Sequence, residues 1–217
     1  MVVDLFTTDT PMSQTVHDTN IRLMLAVQQD DASAFEELMF RFQGRVQSLF
    51  RHMINNRELA EDLTQDVFLR VFRARKSYQP SAKFSTWLFA IANNVALNQL
   101  RTQRRKQEAQ FGIEGNDSYS ERVSNPAETM AAGSESMPAR QLDKIELREM
   151  VQLAVGALNE RQRMAVLLNR FEEMSYAEIA DVMQLSPQAV KSLLCRAHIH
   201  LRNLLQKYIQ KGTAVGA

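Results

Sequence analysis

Cysteine, glycine and proline are scarce in this chain, and each scarcity closes off a class of protein. A single cysteine, Cys195, excludes an internal disulfide, and no Cys/His cluster has metal-ligand spacing, which suits a reducing compartment. A lone helical cysteine of this kind is expected to be a small packing residue. Seven glycines and five prolines in 217 residues leave few forced breaks in a helix. There is no Gly-rich phosphate loop, no nucleophile–base set and no metal motif, so no catalytic centre and no cofactor are expected. Sustained apolar/polar alternation is also missing, which argues against half-buried strands. No apolar span is long enough to cross a bilayer, and the N-terminus lacks a basic start followed by an apolar run. The expectation is a soluble, cytoplasmic, all-α protein without membrane insertion.

A net charge of +1 conceals segregation. Basic residues crowd into Arg101 to Lys106 and Lys191 to Lys211, whereas acids gather at Glu58 to Asp66 and through the middle of the chain. The local field, not the sum, decides which partners are attracted.

The most informative stretch is SYAEIADVMQLSPQAVKSLLCRAHIHL, from Ser175 to Leu201. Ser175 and Glu178 have capping-box spacing, and Tyr176, Ile179, Ala180 and Met183 then form an inward face. Gln184 and Leu185 make a turn, after which Ser186 and Pro187 restart the helix, the serine as N-cap and the proline where its missing N–H has no helical partner. Ala180 is small where two helices must approach, and Leu185, Val190 and Leu193 supply a bihelical core. The pattern predicts a helix-turn-helix. Gln188, Lys191, Ser192 and Arg196 are left on the outer side of its second helix, a set suited to base edges and phosphates in a major groove. His198 and His200 read as solvated surface residues.

Upstream, residues 1–17 show no clear period and read as a flexible arm. A first helix is expected from about Asp18. A second carries Phe35, Leu38, Met39, Phe42, Val46, Leu49, Phe50 and Met53 on one stripe, capped by Ser33 with Glu36 or by Asp31. The third, from about Arg57 to Lys76, buries Leu59, Leu63, Val67 and Val71, with Phe68 and Phe72 widening the stripe. Its early acids and late bases complement the helix dipole. Asp62, Gln65 and Asp66 fall together at i, i+3 and i+4 off that stripe, an acidic patch able to dock a basic partner. A fourth helix, KFSTWLFAIANNVALNQLRTQRRK, is expected to be capped by Ser85, with Phe84 packing on Phe89 across the cap. It buries Leu88, Ile91, Ala92, Val95 and Leu100. Asn94, Asn98, Arg101 and Arg105 line its other face, with Trp87 one heptad before Asn94. An aromatic ring, amides and guanidinium groups in one line offer stacking, base-edge hydrogen bonds and phosphate neutralisation to a single strand. Trp87 reads equally well as a core residue.

Apolar periodicity vanishes from Gln107 to about Arg140, where Gly, Ser, Asn, Pro and acids predominate. This predicts an acidic, flexible linker over 107–140 between two small helical domains, 18–106 and 141–211, with a tail at 212–217. Fully extended, roughly thirty residues reach on the order of 100 Å, so the domains are free to sit far apart. Helical pattern resumes at Leu142, with Ile145, Val151, Ala154 and Leu158 inward. Asn159 is then expected to cap a helix carrying Met164, Leu167, Leu168 and Phe171.

The succession EDLTQDVFLRVFRA, FSTWLFAIANNVALNQLR, an irregular linker and the helix-turn-helix resembles the bacterial RNA polymerase sigma factors of the small, two-domain extracytoplasmic-function (ECF) group of the sigma-70 family. The resemblance extends from about Ile21 to Tyr208, linker excepted. It implies that Asp62, Gln65 and Asp66 contact the coiled coil of the polymerase largest subunit. It also implies that Phe84, Trp87 and Asn94, followed by Asn98, Arg101 and Arg105, open and hold the −10 element, Asn94 lying near the loop that captures a flipped base. Gln188, Lys191, Ser192 and Arg196 would read duplex −35 DNA. Leu193 and His198 stand where many relatives carry Arg, so the recognition helix is less basic than usual. The implied partners are core RNA polymerase, promoter DNA and a restraining anti-sigma protein, the free chain being a monomer. Two rival readings are a dimeric helix-turn-helix regulator and a helical adaptor whose basic helices bind acidic proteins.

Overall fold

The computed structural model describes residues 11–111 and 150–213. The first ten residues of the expected arm, most of the expected linker, the Leu142 and Ile145 positions and residues 214–217 lie outside the described residues. The first lobe holds α1 (Pro11–Gln28), α2 (Ala32–Ile54), α3 (Arg57–Ala74), a 3-10 turn (Arg75–Ser77) and α4 (Phe84–Phe111). The second holds α5 (150–156), α6 (Glu160–Phe171), α7 (Tyr176–Met183) and α8 (Pro187–Thr213). No strand occurs among the described residues. Two boundaries differ from expectation: α1 begins at Pro11 rather than Asp18, and α4 runs on to Phe111, past the expected linker start at Gln107.

Local chemistry explains the helix ends. Asp31, not Ser33, caps α2, its Oδ1 accepting from Ser33 N at 2.9 Å and Ala34 N at 3.1 Å. Asn55 closes α2 in the left-handed conformation (φ 54°), which asparagine tolerates, and Asn56 starts α3 by accepting from Leu59 N at 3.0 Å. Ser85 does not cap α4. The helix already includes Phe84, whose ring is 1% exposed, and Trp87 N donates to Lys83 O at 3.3 Å. Burial of the Phe84 ring sets where the helix begins.

The apolar stripe of α2 is the spine of the first lobe: Leu38, Phe42, Val46, Phe50 and Met53 are fully buried. They meet Leu63, Val67, Phe68 and Val71 of α3 and Leu88, Phe89, Ala92 and Val95 of α4. Phe42 and Phe84 pack edge to face at 5.2 Å, a preferred aromatic geometry. In the second lobe Met164, Leu167, Leu168, Ile179, Val190 and Leu194 are buried. Several residues expected inside are not: Phe72, Val151, Phe171 and Tyr176 are 40%, 42%, 59% and 44% exposed. Phe72 is covered instead by the Arg75 guanidinium, 3.9 Å above its ring, and Phe171 lies against His52 of the other lobe. Val182 takes the inward place assigned to Tyr176 because its side of α7 faces α4.

The lobes are in contact. Helix α7 lies on α4 and α6 against α2. Lys83 pairs with Glu178 at 3.0 Å and Arg104 with Glu160 at 3.0 Å, while Arg45 Nε donates to Glu172 at 2.8 Å. Arg163 donates through Nη1 to Met53 O at 2.9 Å and through Nε to Val155 O at 3.1 Å, and also to the carbonyls of Gly156 and Leu158. One guanidinium thus serves carbonyls at and just beyond the C-terminal end of α5 and at the C-terminal end of α2, where a cation is electrostatically favoured.

Replacing Phe42 by Ala should destabilise the first lobe by about 3–5 kcal/mol, whereas Phe40→Ala, at a position 75% exposed, should change stability by no more than about 0.5 kcal/mol. Urea unfolding followed by far-UV circular dichroism tests the pair, and similar midpoints for the two variants would contradict this placement of the core.

Candidate nucleic-acid interface

The helix-turn-helix is built as its sequence dictates. Ser175 Oγ accepts from Glu178 N at 3.3 Å, and the Glu178 carboxylate accepts from Ser175 N at 2.8 Å, so both halves of the capping box are present. Burial pushes the Glu178 carboxyl upward, but the Ser175 hydrogen bonds and Lys83 outweigh it and hold the group below its ordinary value. Gln184 makes the turn in the left-handed conformation (φ 54°), and Ser186 Oγ accepts from Ala189 N at 3.2 Å to start α8. Ala180, Val190 and Leu194 are buried between the helices, with Leu185 and Leu193 partly covered. Gln188, Lys191, Ser192 and Arg196 are all exposed along one side of α8. Ser192 Oγ donates to Gln188 O at 3.0 Å. Cys195 is exposed rather than packed, as is His198.

On α4, Asn94, Asn98, Arg101 and Arg105 are exposed on one side over about 16 Å of helix. Trp87 is half-buried at the start of this line, its ring 4.9 Å from Tyr78 and 6.0 Å from Phe84. Phe84 is inside the core, its ring packed on Phe42 and standing behind Trp87. Tyr78 is the brace that sequence reasoning missed. It is buried, and burial raises its phenol above the ordinary value. Its backbone is held from α1, where Gln28 Nε2 donates to Tyr78 O at 2.6 Å. The adjoining turn is fastened by Asp30, which pairs with Lys76 at 2.7 Å and Arg75 at 2.9 Å and is held below the usual carboxylate range by those two bonds.

The acidic patch lies on α3. Asp62 and Gln65 are exposed, and Asp66 is half-exposed and bonded to Arg70 at 3.0 Å. Leu69, 54% exposed, continues the same side one turn later. The patch belongs to a different helix from both basic faces, so the structure presents three separate surfaces.

Where the lobes meet, Asn94, Asn98 and Arg101 form one wall of a cleft of about 530 Å³, and Arg161, Met183, Gln184 and Leu185 form the other. Asn93 is buried beneath it, its amide donating to Val182 O at 3.4 Å and its Oδ1 having no partner. A buried unpaired acceptor costs about 1–3 kcal/mol. Glu172 is nearly covered, and burial raises its carboxyl even though Arg45 pulls it down. Arg45, Asn93, Arg163 and Glu172 carry no sequence signal for this role, because their partners are 89 to 127 residues away. Among the described residues no cluster of His, Cys, Asp and Glu could hold a metal ion, and no helix is long and apolar enough to cross a membrane.

Comparison with known proteins matches both lobes. Residues 38–106 fit the family model described as Sigma-70 region 2, and residues 148–201 that described as Sigma-70, region 4. The chain is 36% identical over 172 residues to the RNA polymerase sigma factor CarQ of Myxococcus xanthus, spanning 79% of this chain and 89% of that protein. It is 31% identical over 195 residues to the ECF RNA polymerase sigma-E factor of Escherichia coli strain K12, spanning 87% and 95%. Two solved structures share the fold. CnrH, in complex with the cytosolic domain of CnrY, has a TM-score of 0.60 at 21% identity and covers 88% of this chain and 99% of its own. The sigma factor RpoE of Bartonella quintana, in complex with the anti-sigma factor NepR, has a TM-score of 0.59 at 22% identity and covers 79% and 96%.

Ser175→Ala should cost about 1 kcal/mol through loss of the cap. Because the Glu178 pKa is lowered on folding, its contribution is present above the ordinary value of 4.5 and is lost as pH falls through the folded value. Thermal melts at neutral and acidic pH should therefore differ less for Glu178→Gln than for the parent chain, and equal differences would contradict the assignment.

Proposed function

The chain belongs to the extracytoplasmic-function RNA polymerase sigma factors of the sigma-70 family, and we propose that it divides promoter recognition among the three surfaces just described. Asp62, Gln65 and Asp66 dock the first lobe on core RNA polymerase. Asn94, Asn98, Arg101 and Arg105, with Trp87 braced by Phe84, take the −10 strand. Gln188, Lys191, Ser192 and Arg196 read the −35 duplex. The observation that carries this reading is that an acidic patch, an amide–guanidinium line and a recognition helix are all exposed, each on its own helix.

The chemistry suits each task. Extruding a base costs a few kcal/mol, which stacking and edge hydrogen bonds in a pocket offset. Exposed Lys and Arg on α8 neutralise phosphates, while Gln188 reaches base edges. Each lobe alone offers a modest interface. Core polymerase sets their spacing, so that two weak contacts reinforce one another through effective concentration. RNA synthesis itself belongs to the polymerase, and this chain supplies recognition and strand opening. Work on polymerase and chromosomal DNA places it in the cytoplasm, as a monomer when free, with an anti-sigma protein as its restraining partner. The lobes correspond to a polymerase-binding and −10 domain over residues 18–106 and a −35 domain over 141–211.

Run-off transcription by core polymerase on fragmented source DNA should give discrete starts only when this protein is added, and Asp62→Ala/Asp66→Ala should abolish them together with binding to core. No protein-dependent start would sink the reading. Lys191→Ala should weaken duplex binding by the holoenzyme and reduce the slope of log K against log salt by about 0.9 per lost phosphate contact. Asn94→Ala should retain duplex binding but lose strand opening, monitored by permanganate reactivity of the melted region.

A further inference from the structure

The outer side of α8 is not uniformly polar. Val190, Leu194 and Ala197 are buried and fix the inward direction of the helix. At about 100° per residue, Ser192 and Ile199 point almost directly away from that direction, with Gln188 and Cys195 within about 50° of them. Lys191 and Arg196 flank this strip, each about 40° beyond it on its own side. All six residues are exposed. The strip therefore passes from an amide and a hydroxyl at the start of the helix to a thiol and a branched aliphatic chain further along. Its hydroxyl is partly engaged: Ser192 Oγ donates to Gln188 O at 3.0 Å, so it offers a base an acceptor oxygen. Gln188 is left to supply the side-chain donor.

Ile199 is 54% exposed, and Cys195 precedes it at i and i+4, so the two share one side of the helix. In water this apolar pair gains nothing. On the floor of a major groove it does, because among the four bases thymine presents a C5-methyl group there, while an amide such as Gln188 suits the N6/N7 edge of adenine. The cations on both flanks suit the phosphate rims of a groove about 12 Å wide, which directs the strip between them to base pairs. We propose that Cys195 and Ile199 are further specificity-determining residues of α8, and that they take the C5-methyl group of a thymine in the −35 duplex. This deepens the assignment of α8 to that duplex and rests on it. Gln188 reads a hydrogen-bonding edge and the apolar pair reads a methyl group, so discrimination is gained without further charge.

The test uses holoenzyme assembled from core polymerase and the full chain. It first selects a −35 sequence from promoter fragments degenerate in the upstream duplex element. Each thymine of the selected element is then replaced singly by deoxyuridine, which removes the methyl group and keeps the hydrogen-bonding edge. At least one position should lose about fourfold in affinity, the worth of one buried methyl group. Cys195→Ser/Ile199→Ser, both at exposed positions, should keep far-UV helicity and core binding, yet bind the thymine and deoxyuridine duplexes equally at that position. Lys191→Ala should weaken both duplexes and retain the fourfold ratio. A selected element without a methyl-sensitive thymine, or a sensitivity that survives the double substitution, would overturn the proposal and leave −35 reading intact. Failure of that reading looks different: a holoenzyme that starts transcription but selects no upstream sequence removes the duplex assignment, and the methyl-reading strip with it.

Discussion

Everything in the first lobe depends on helix α4 having two different faces. One face, with Phe84, Leu88, Phe89, Ala92 and Val95, is locked against the stripe of α2. That burial fixes the rotation of the helix, and the rotation points Asn94, Asn98, Arg101 and Arg105 away from the core. Because an α-helix places residues three and four apart on one side, this polar line could not be displaced without dragging the core with it. The aromatic group of Phe42, Phe84, Tyr78 and Trp87 extends this control to the start of the helix. Tyr78 is in turn positioned by α1 and by Asp30 with its two cations. Trp87 is accordingly half-buried, packed on the core on one side and accessible on the other.

The second lobe follows a different logic. Helices α6 and α7 are short, and the lobe relies on capping: Asn159, Ser175 and Ser186 each satisfy an N-terminal donor that would otherwise need water. Such a lobe is a rigid carrier for α8, and its contact with the first lobe combines apolar packing, Val182 being buried where α7 meets α4, with charge and carbonyl chemistry. Arg163 illustrates the difference. Its guanidinium, stripped of water and so held below its ordinary basicity, answers the carbonyls of Val155, Gly156 and Leu158 in its own lobe and of Met53 in the other.

Helix type, most apolar stripes, the caps at Asn159, Ser175 and Ser186, and the helix-turn-helix with its outward Gln188, Lys191, Ser192 and Arg196 could all be read from the chain. These are short-range properties: a period of 3.6, a side chain bonding three residues ahead, a small residue at a close crossing. Errors arose where a residue at the edge of a stripe had a choice of neighbour. Phe171 and Tyr176 fit the apolar period, but the lobe closes around Leu168 and Val182 instead.

The sequence alone was sufficient for the two helical units, the family resemblance and the residues that face outward, because periodicity and capping are local and additive. Packing alone settled that Phe84 is buried while Trp87 is half-exposed, that Tyr78 and Asp30 stand behind them, and that α7 leans over the amides of α4. Most of those outcomes turn on partners distant in sequence, such as Phe42 with Phe84, Gln28 with Tyr78, and Asn93 with Val182. A lone Arg, Asn or Glu on a polar face has no periodic partner in the chain. Only the meeting of surfaces in three dimensions determines which carbonyl or carboxylate it finds.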